Sequence, residues 1–149
     1  MKTNHVYTIY QIRLSQDEVD TINHAGHLAV PKQKARLDIG IAGYEIGNVA
    51  GEAWCAGHFK RVAQIIAADL EDVFKVGNCG PENRIAREAP MASISVGDII
   101  AGPDREDHQG EPVPGLHVVA QFGFEPVARR SSGGGVIQTI TSPGINWAS

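Results

Sequence analysis

Cysteine is scarce in this 149-residue chain, which has only Cys55 and Cys79. Two thiols make no disulfide framework, so the fold is expected to rest on an ordinary apolar core. Long apolar runs are missing as well. None approaches the roughly 20 residues of a membrane-crossing helix, so no membrane association is expected. The N-terminal stretch has no basic segment followed by an apolar one, so no signal peptide is expected, and a cytoplasmic chain with reduced thiols is the reading. Basic charge is not in excess. Thirteen Lys and Arg against 17 Asp and Glu give a formal charge of −4, which argues against a general nucleic-acid binder. No G-x-x-x-x-G-K-[ST] phosphate loop occurs despite 17 glycines, and no long-period repeat is visible.

What is present reads as one globular domain. Apolar residues make up 42% of the chain and charged residues 20%, an ordinary balance for a length that can bury a real core. Val6 to Leu14 is β-branched and aromatic, apolar on one face and half apolar on the other, and predicts an interior strand. Ser15-Gln16-Asp17-Glu18 is a capping-box pattern that opens a helix ending near Gly26. Leu28 to Pro31 reads as extended. Leu37, Ile39 and Ile41 alternate and predict a strand over 35–41. Gly43 to Gly57 is ambiguous, with Gly47 and Gly51 weakening a helix. Phe59 to Ala67 predicts a strand, because Asp69 looks like a fresh N-cap. Leu70, Val73 and Phe74 then make one helical stripe, with Gly77 and Asn78 suited to its exit.

Ser93 to Ala101 predicts a strand with Gly97-Asp98 inside it, which suggests a bulge. Residues 102–115 read as an exposed loop, and 116–124 as the returning strand. Residues 129–135 are a flexible linker by composition, and 136–141 suit either an edge strand or a loose end. The expected fold is therefore a single α+β domain over 1–128. It has a mixed, mostly antiparallel sheet of about four to six strands, with two or three short helices on one face. Residues 129–149 follow as a linker and tail.

Three groups of residues invite chemistry. His24, His27, Cys55 and His58 form two pairs, each separated by Ala-Gly, and four N/S donors could surround a zinc ion. Without metal they read as histidines at a helix end, facing its dipole or solvent. Cys55 with His58 could also make a thiol dyad, but nothing local supplies an orienting group or an oxyanion hole. Cys79 follows a helix and reads as a buried, structural cysteine. In Val96-Gly97-Asp98, Asp98 is expected to set a turn through local backbone bonds. Small β-barrel nucleic-acid modules use the same turn, so a nucleic-acid-binding module is a second reading. The acidic residues Asp104, Glu106 and Asp107 sit in the expected loop, where they could meet a basic partner or simply be solvated.

The ordered set Val6-Tyr7-Thr8-Ile9-Tyr10-Gln11-Ile12, Leu70-Glu71-Asp72-Val73-Phe74-Lys75-Val76-Gly77-Asn78, Met91-Ala92-Ser93-Ile94-Ser95-Val96-Gly97-Asp98-Ile99-Ile100 and Gly123-Phe124 resembles a YodL-like domain. It is also similar to the small phage and plasmid proteins that share this layout. The likeness covers about residues 6–127. It implies a mobile-element context in a bacterial host cell and carries over no catalytic residue. Together these readings lead to an expected function. The chain would be a non-enzymatic accessory protein of a phage or plasmid that binds and inhibits a host or defence-system protein, with no cofactor. The alternatives are the nucleic-acid module and a zinc- or thiol-dependent hydrolase.

Overall fold

A computed structural model of the chain describes residues 4–106, 109, 112–130 and 137–139. The described residues form four α-helices: α1 (Gln16–Ala25), α2 (Pro31–Gly40), α3 (Ile46–Cys55) and α4 (Leu70–Cys79). The strands are β1 (His5–Gln11), β2 (Lys60–Ala67), β3 (Ile85–Arg87), β4 (Ile99–Glu106), β5 (Pro112–Val119), β6 (Phe124–Pro126), β7 (Ala128–Arg130) and β8 (Ile137–Thr139). Six of them make one antiparallel sheet in the order β3-β2-β1-β4-β5-β6, and β7 pairs with β8 alone. This is a single α+β domain.

β1 sits inside the sheet because both of its faces are apolar. Tyr7 and Ile9 enter one core with Ile65, Val73, Val76 and Ile100. Tyr10 and, just beyond the strand, Ile12 enter a second core with Ile39, Ile46, Ala50, Ala53 and Leu116. The helices are divided accordingly, with α4 on the first face and α2 and α3 on the second. A two-sided sheet explains why so many strand residues are apolar in both phases.

Two helix starts follow from their caps. The Glu18 amide donates to Ser15 Oγ at 3.1 Å, and the Ser15 amide donates back to Glu18 Oε1 at 2.8 Å. The Asp72 amide donates to Asp69 Oδ1 at 2.9 Å. Ser15→Ala removes one acceptor from an exposed helix end and is expected to cost about 1 kcal/mol. Urea unfolding checks this through a lower midpoint at unchanged slope; an unmoved midpoint would show that the cap contributes nothing.

Several local expectations are corrected. Residues 35–41 belong to helix α2, not a strand. Pro31 starts that helix at its first position, and Lys34 pairs with Asp38 one turn on at 2.7 Å. Of the alternating trio only Ile39 is buried, with Leu37 43% and Ile41 85% exposed. His27–Ala29 is a short 3-10 turn rather than extended chain. Helix α4 runs past Gly77 and Asn78 to Cys79 and leaves at Gly80, whose φ is +82°. Gly77 stays helical because its bare Cα admits Ile94: a Cβ would meet Ile94 Cγ1 at 2.9 Å.

The strand expected from Ser93 starts only at Ile99, after a turn whose Asp98 amide donates to Ser95 O at 3.0 Å. The loop expected over 102–115 is largely strand, since β4 and β5 extend into it. The single strand expected over 116–124 is broken after Val119, and Gly123 at φ +84° turns the chain into β6. Arg129 and Arg130 lie in β7 rather than a linker, and β7 packs on α3. Residues 131–135 of the expected linker lie outside the described residues. Within 136–141 the expected edge strand is present over Ile137–Thr139.

The outer edges of the large sheet are short. β3 and β6 have three residues each. Beyond its pairing with β3, β2 has its Ile66 carbonyl taken by Arg84 Nε at 2.9 Å. Its Val62 carbonyl is taken by the amides of Glu88 and Ala89 at 2.8 and 3.2 Å.

Candidate functional site

The stretch Met91 to Asp98 has no helix or strand of its own, yet two side-chain amides hold its backbone as a neighbouring strand would. Gln11 Nε2 donates to Ala92 O at 3.0 Å, and the Ala92 amide donates to Gln11 Oε1 at 3.0 Å. Asn78 Nδ2 donates to Ile94 O at 3.0 Å, and the Ile94 amide donates to Asn78 Oδ1 at 2.7 Å. Each amide spends a donor and an acceptor on one residue, so the buried backbone groups are satisfied without a ladder. The turn is then fastened to β5, because the Gly97 amide donates to Val119 O and the Val119 amide to Asp98 O.

This fixed stretch forms one wall of a cleft of about 240 Å³. Gln11, Ile12 and Arg13 lead into it from β1, and Gln33, Arg36, Leu37 and Ile39 line it from α2. Asp98 lies at its floor. Asp98 Oδ2 accepts from Gln11 Nε2 at 2.9 Å and from the Ser95 amide at 3.0 Å. Burial pushes the Asp98 carboxyl up to about 6, against the Ser95 and Gln11 hydrogen bonds and the charges of Arg36 and Arg13, which favour the carboxylate. The rim is mixed: Leu37 and Val96, 43% and 46% exposed, stand beside exposed Arg36, Ser93 and Ser95.

The cleft's arginines differ from the others described. Arg61, Arg84 and Arg87 are each tied to a carboxylate, of Glu88, Asp72 and Glu82 respectively. Arg13 has no such partner, and Arg36 meets only the neutral Gln33 Oε1 at 3.4 Å.

The residues singled out from the sequence lie elsewhere. His24 lies in the last turn of α1, with Nδ1 2.8 Å from Asp20 O. His27 follows, with Nδ1 3.2 Å from Gln33 Nε2. Cys55 is the exposed last residue of α3 and is not disulfide bonded. His58 is half-buried and lines a shallow groove between α2 and α3. Among the described residues, no three His, Cys, Asp or Glu side chains gather as a metal-holding group, so the quartet is not assembled as a ligand set here. Cys79 is exposed, not buried. Asp104 and Glu106 fall in strand β4, not a loop, and Asp107 lies outside the described residues. No helix among the described residues is long and apolar enough to cross a membrane.

Asp98 does set its turn. What the sequence reading missed is Gln11, Arg13, Gln33 and Arg36. One signal was available: Gln11 is a long amide within a strand otherwise rich in apolar residues, and it is 2% exposed. A buried amide of that kind has to be bonded to something specific. Comparison with known proteins adds no relative, since no protein-family model, no curated protein and no solved structure matches the chain significantly.

Proposed function

We propose that this chain is a small non-enzymatic accessory protein that binds and inhibits a host or defence-system protein in the bacterial cytoplasm, and that the cleft is its binding site. The mobile-element context comes from the YodL-like resemblance. The binding role is carried by one observation, the composition of the cleft. Among the described residues its arginines have no carboxylate bonded to them, Leu37 and Val96 are exposed beside polar residues at its rim, and the Oδ2 of Asp98 accepts from Gln11 and Ser95. Among the described residues, no histidine or cysteine lines it. Two arginines beside exposed apolar side chains make a surface suited to holding a ligand.

The test is a pull-down from bacterial lysate with nuclease treatment, using wild type and the rim variant Leu37→Glu/Val96→Glu. Both rim residues are exposed, so folding is expected to survive. One protein retained by wild type after nuclease, and weakened by about tenfold or more in the rim variant, is the expected result. A control change on the opposite face, Phe74→Glu, is expected to leave capture intact. If every partner disappears with nuclease, the nucleic-acid module replaces this reading. Equal capture by the rim variant would move the binding site off the cleft.

A further inference from the structure

We infer that Arg13 and Arg36 form an anion clamp, and that its ligand is a carboxylate side chain of a partner protein presented beside an apolar residue. The inference rests on the reading of the cleft as a protein-binding site and names the group that the site recognises.

The argument begins with the unpaired guanidiniums. An arginine beside a folded surface usually finds a carboxylate, as Arg61, Arg84 and Arg87 do here. Arg13 and Arg36 leave their donors open, although they come from different elements and line one cleft. Both are close enough to Asp98 to stabilise its charge. Gln33 holds Arg36 Nη1 at 3.4 Å from α2 itself, which orients the guanidinium without neutralising it. Open guanidinium donors favour an oxyanion, carboxylate or phosphate, that can take two parallel N–H bonds.

The other features choose between anions. Asp98 Oδ2 is taken by the scaffold, and the other carboxyl oxygen remains for the ligand. A carboxylate can share one proton with Asp98, whose carboxyl burial has already pushed up to about 6. The exposed Leu37 and Val96 at the rim need an apolar neighbour that a bare phosphate does not bring. The chain's net charge of −4 also works against a polyanion such as nucleic acid.

The experiment is an NMR titration of the full chain, following the arginine Nε–H signals and the Ser93, Ser95 and Gly97 amides. The probes are acetyl-Leu-Glu-Leu-amide, acetyl-Leu-Gln-Leu-amide and inorganic phosphate. The expected result is that the Glu peptide moves the Arg13 and Arg36 signals together with the cleft amides, while the Gln peptide binds about tenfold more weakly. Arg13→Gln and Arg36→Gln are each expected to lose about tenfold in affinity, and Arg61→Gln none. Neither cleft arginine makes an ion pair on which the fold depends, so the variants are expected to keep the wild-type spectrum elsewhere. Equal binding of the Glu and Gln peptides would overturn the clamp while leaving the cleft as a protein site. Phosphate moving the same signals with no response to the peptide would overturn the choice of carboxylate. No response in the cleft to any probe would overturn the inference altogether, and the rim-variant pull-down would still decide the broader reading by itself.

Discussion

Gly102→Ala is expected to destabilise the fold by about 3 kcal/mol, the cost of forcing a methyl group into a filled core. Gly102 is buried in β4 beside Tyr7 of β1. The Tyr7 ring lies flat across the bare Cα. A Cβ there would strike Cδ1, with Cε1 at 2.9 Å and Cγ at 3.0 Å. The ring cannot step aside. It is 1% exposed, and its hydroxyl donates to Pro103 O at 2.8 Å. Moving it would therefore cost packing and a buried hydrogen bond together. The control is Gly40→Ala at the end of α2, where a Cβ meets nothing within 4 Å. That change is expected to stabilise by about 0.5–1 kcal/mol. Urea unfolding of the pair gives opposite signs if the contact is as described. A Gly102→Ala protein within about 1 kcal/mol of wild type would show that β1 and β4 can part more easily than this packing allows.

Asp98→Asn is expected to make the protein more stable at neutral pH, and only there. The Asp98 carboxyl stands at about 6 in the fold, against an unfolded value of about 3.9. A raised folded value means that the fold prefers the protonated group. The stabilisation is complete below about pH 4 and is lost as pH rises through about 6. Asparagine keeps an oxygen to accept from the Ser95 amide and from Gln11, but it never ionises. At pH 7.5 the variant is expected to be ahead by about 2–3 kcal/mol, or about 5–10 °C in Tm. At pH 4 the two are expected to coincide. Asp72 and Glu18, whose carboxyls are held below the usual range, weaken both proteins alike as pH falls and cancel in the comparison. Melting curves from pH 4 to 8 check the result; parallel curves for the two proteins would show that the Asp98 charge is already well solvated. The same variant bears on the cleft. If the ligand carboxylate shares a proton with Asp98, wild-type binding of the Glu peptide tightens from pH 7.5 to 5.5, and Asp98→Asn binding stays flat. In that window the peptide's own carboxylate remains ionised, and His27, whose Nδ1 lies 3.2 Å from the lining residue Gln33, is replaced by Gln in both proteins so that the pH dependence reads Asp98.

Local signals were readable and distant ones were not. β1, the capping box at Ser15, the cap at Asp69 and strand β2 all declare themselves within a few residues, and each is where the sequence predicts it. α2 was misread because Leu37, Ile39 and Ile41 alternate, and a run of three cannot separate a strand from one side of a helix. Pro31 and the Lys34–Asp38 pair carried the better signal. β5 and β6 merged in the reading because the turn at Gly123 interrupts an otherwise continuous apolar pattern. The site was half legible. The Val96-Gly97-Asp98 turn could be seen, as could the role of Asp98 in setting it. Arg13 and Arg36 could not, because they line one cleft only after β1 pairs with β4 and α2 folds over the second core.

The short, sealed margins of the large sheet carry a last consequence. A growing β-assembly needs a row of free amides and carbonyls, and the outermost strands β3 and β6 offer only three residues each. Pro126, the last residue of β6, has no amide hydrogen to give a newcomer. Strands β3 and β6 are therefore poor templates for end-to-end polymerisation.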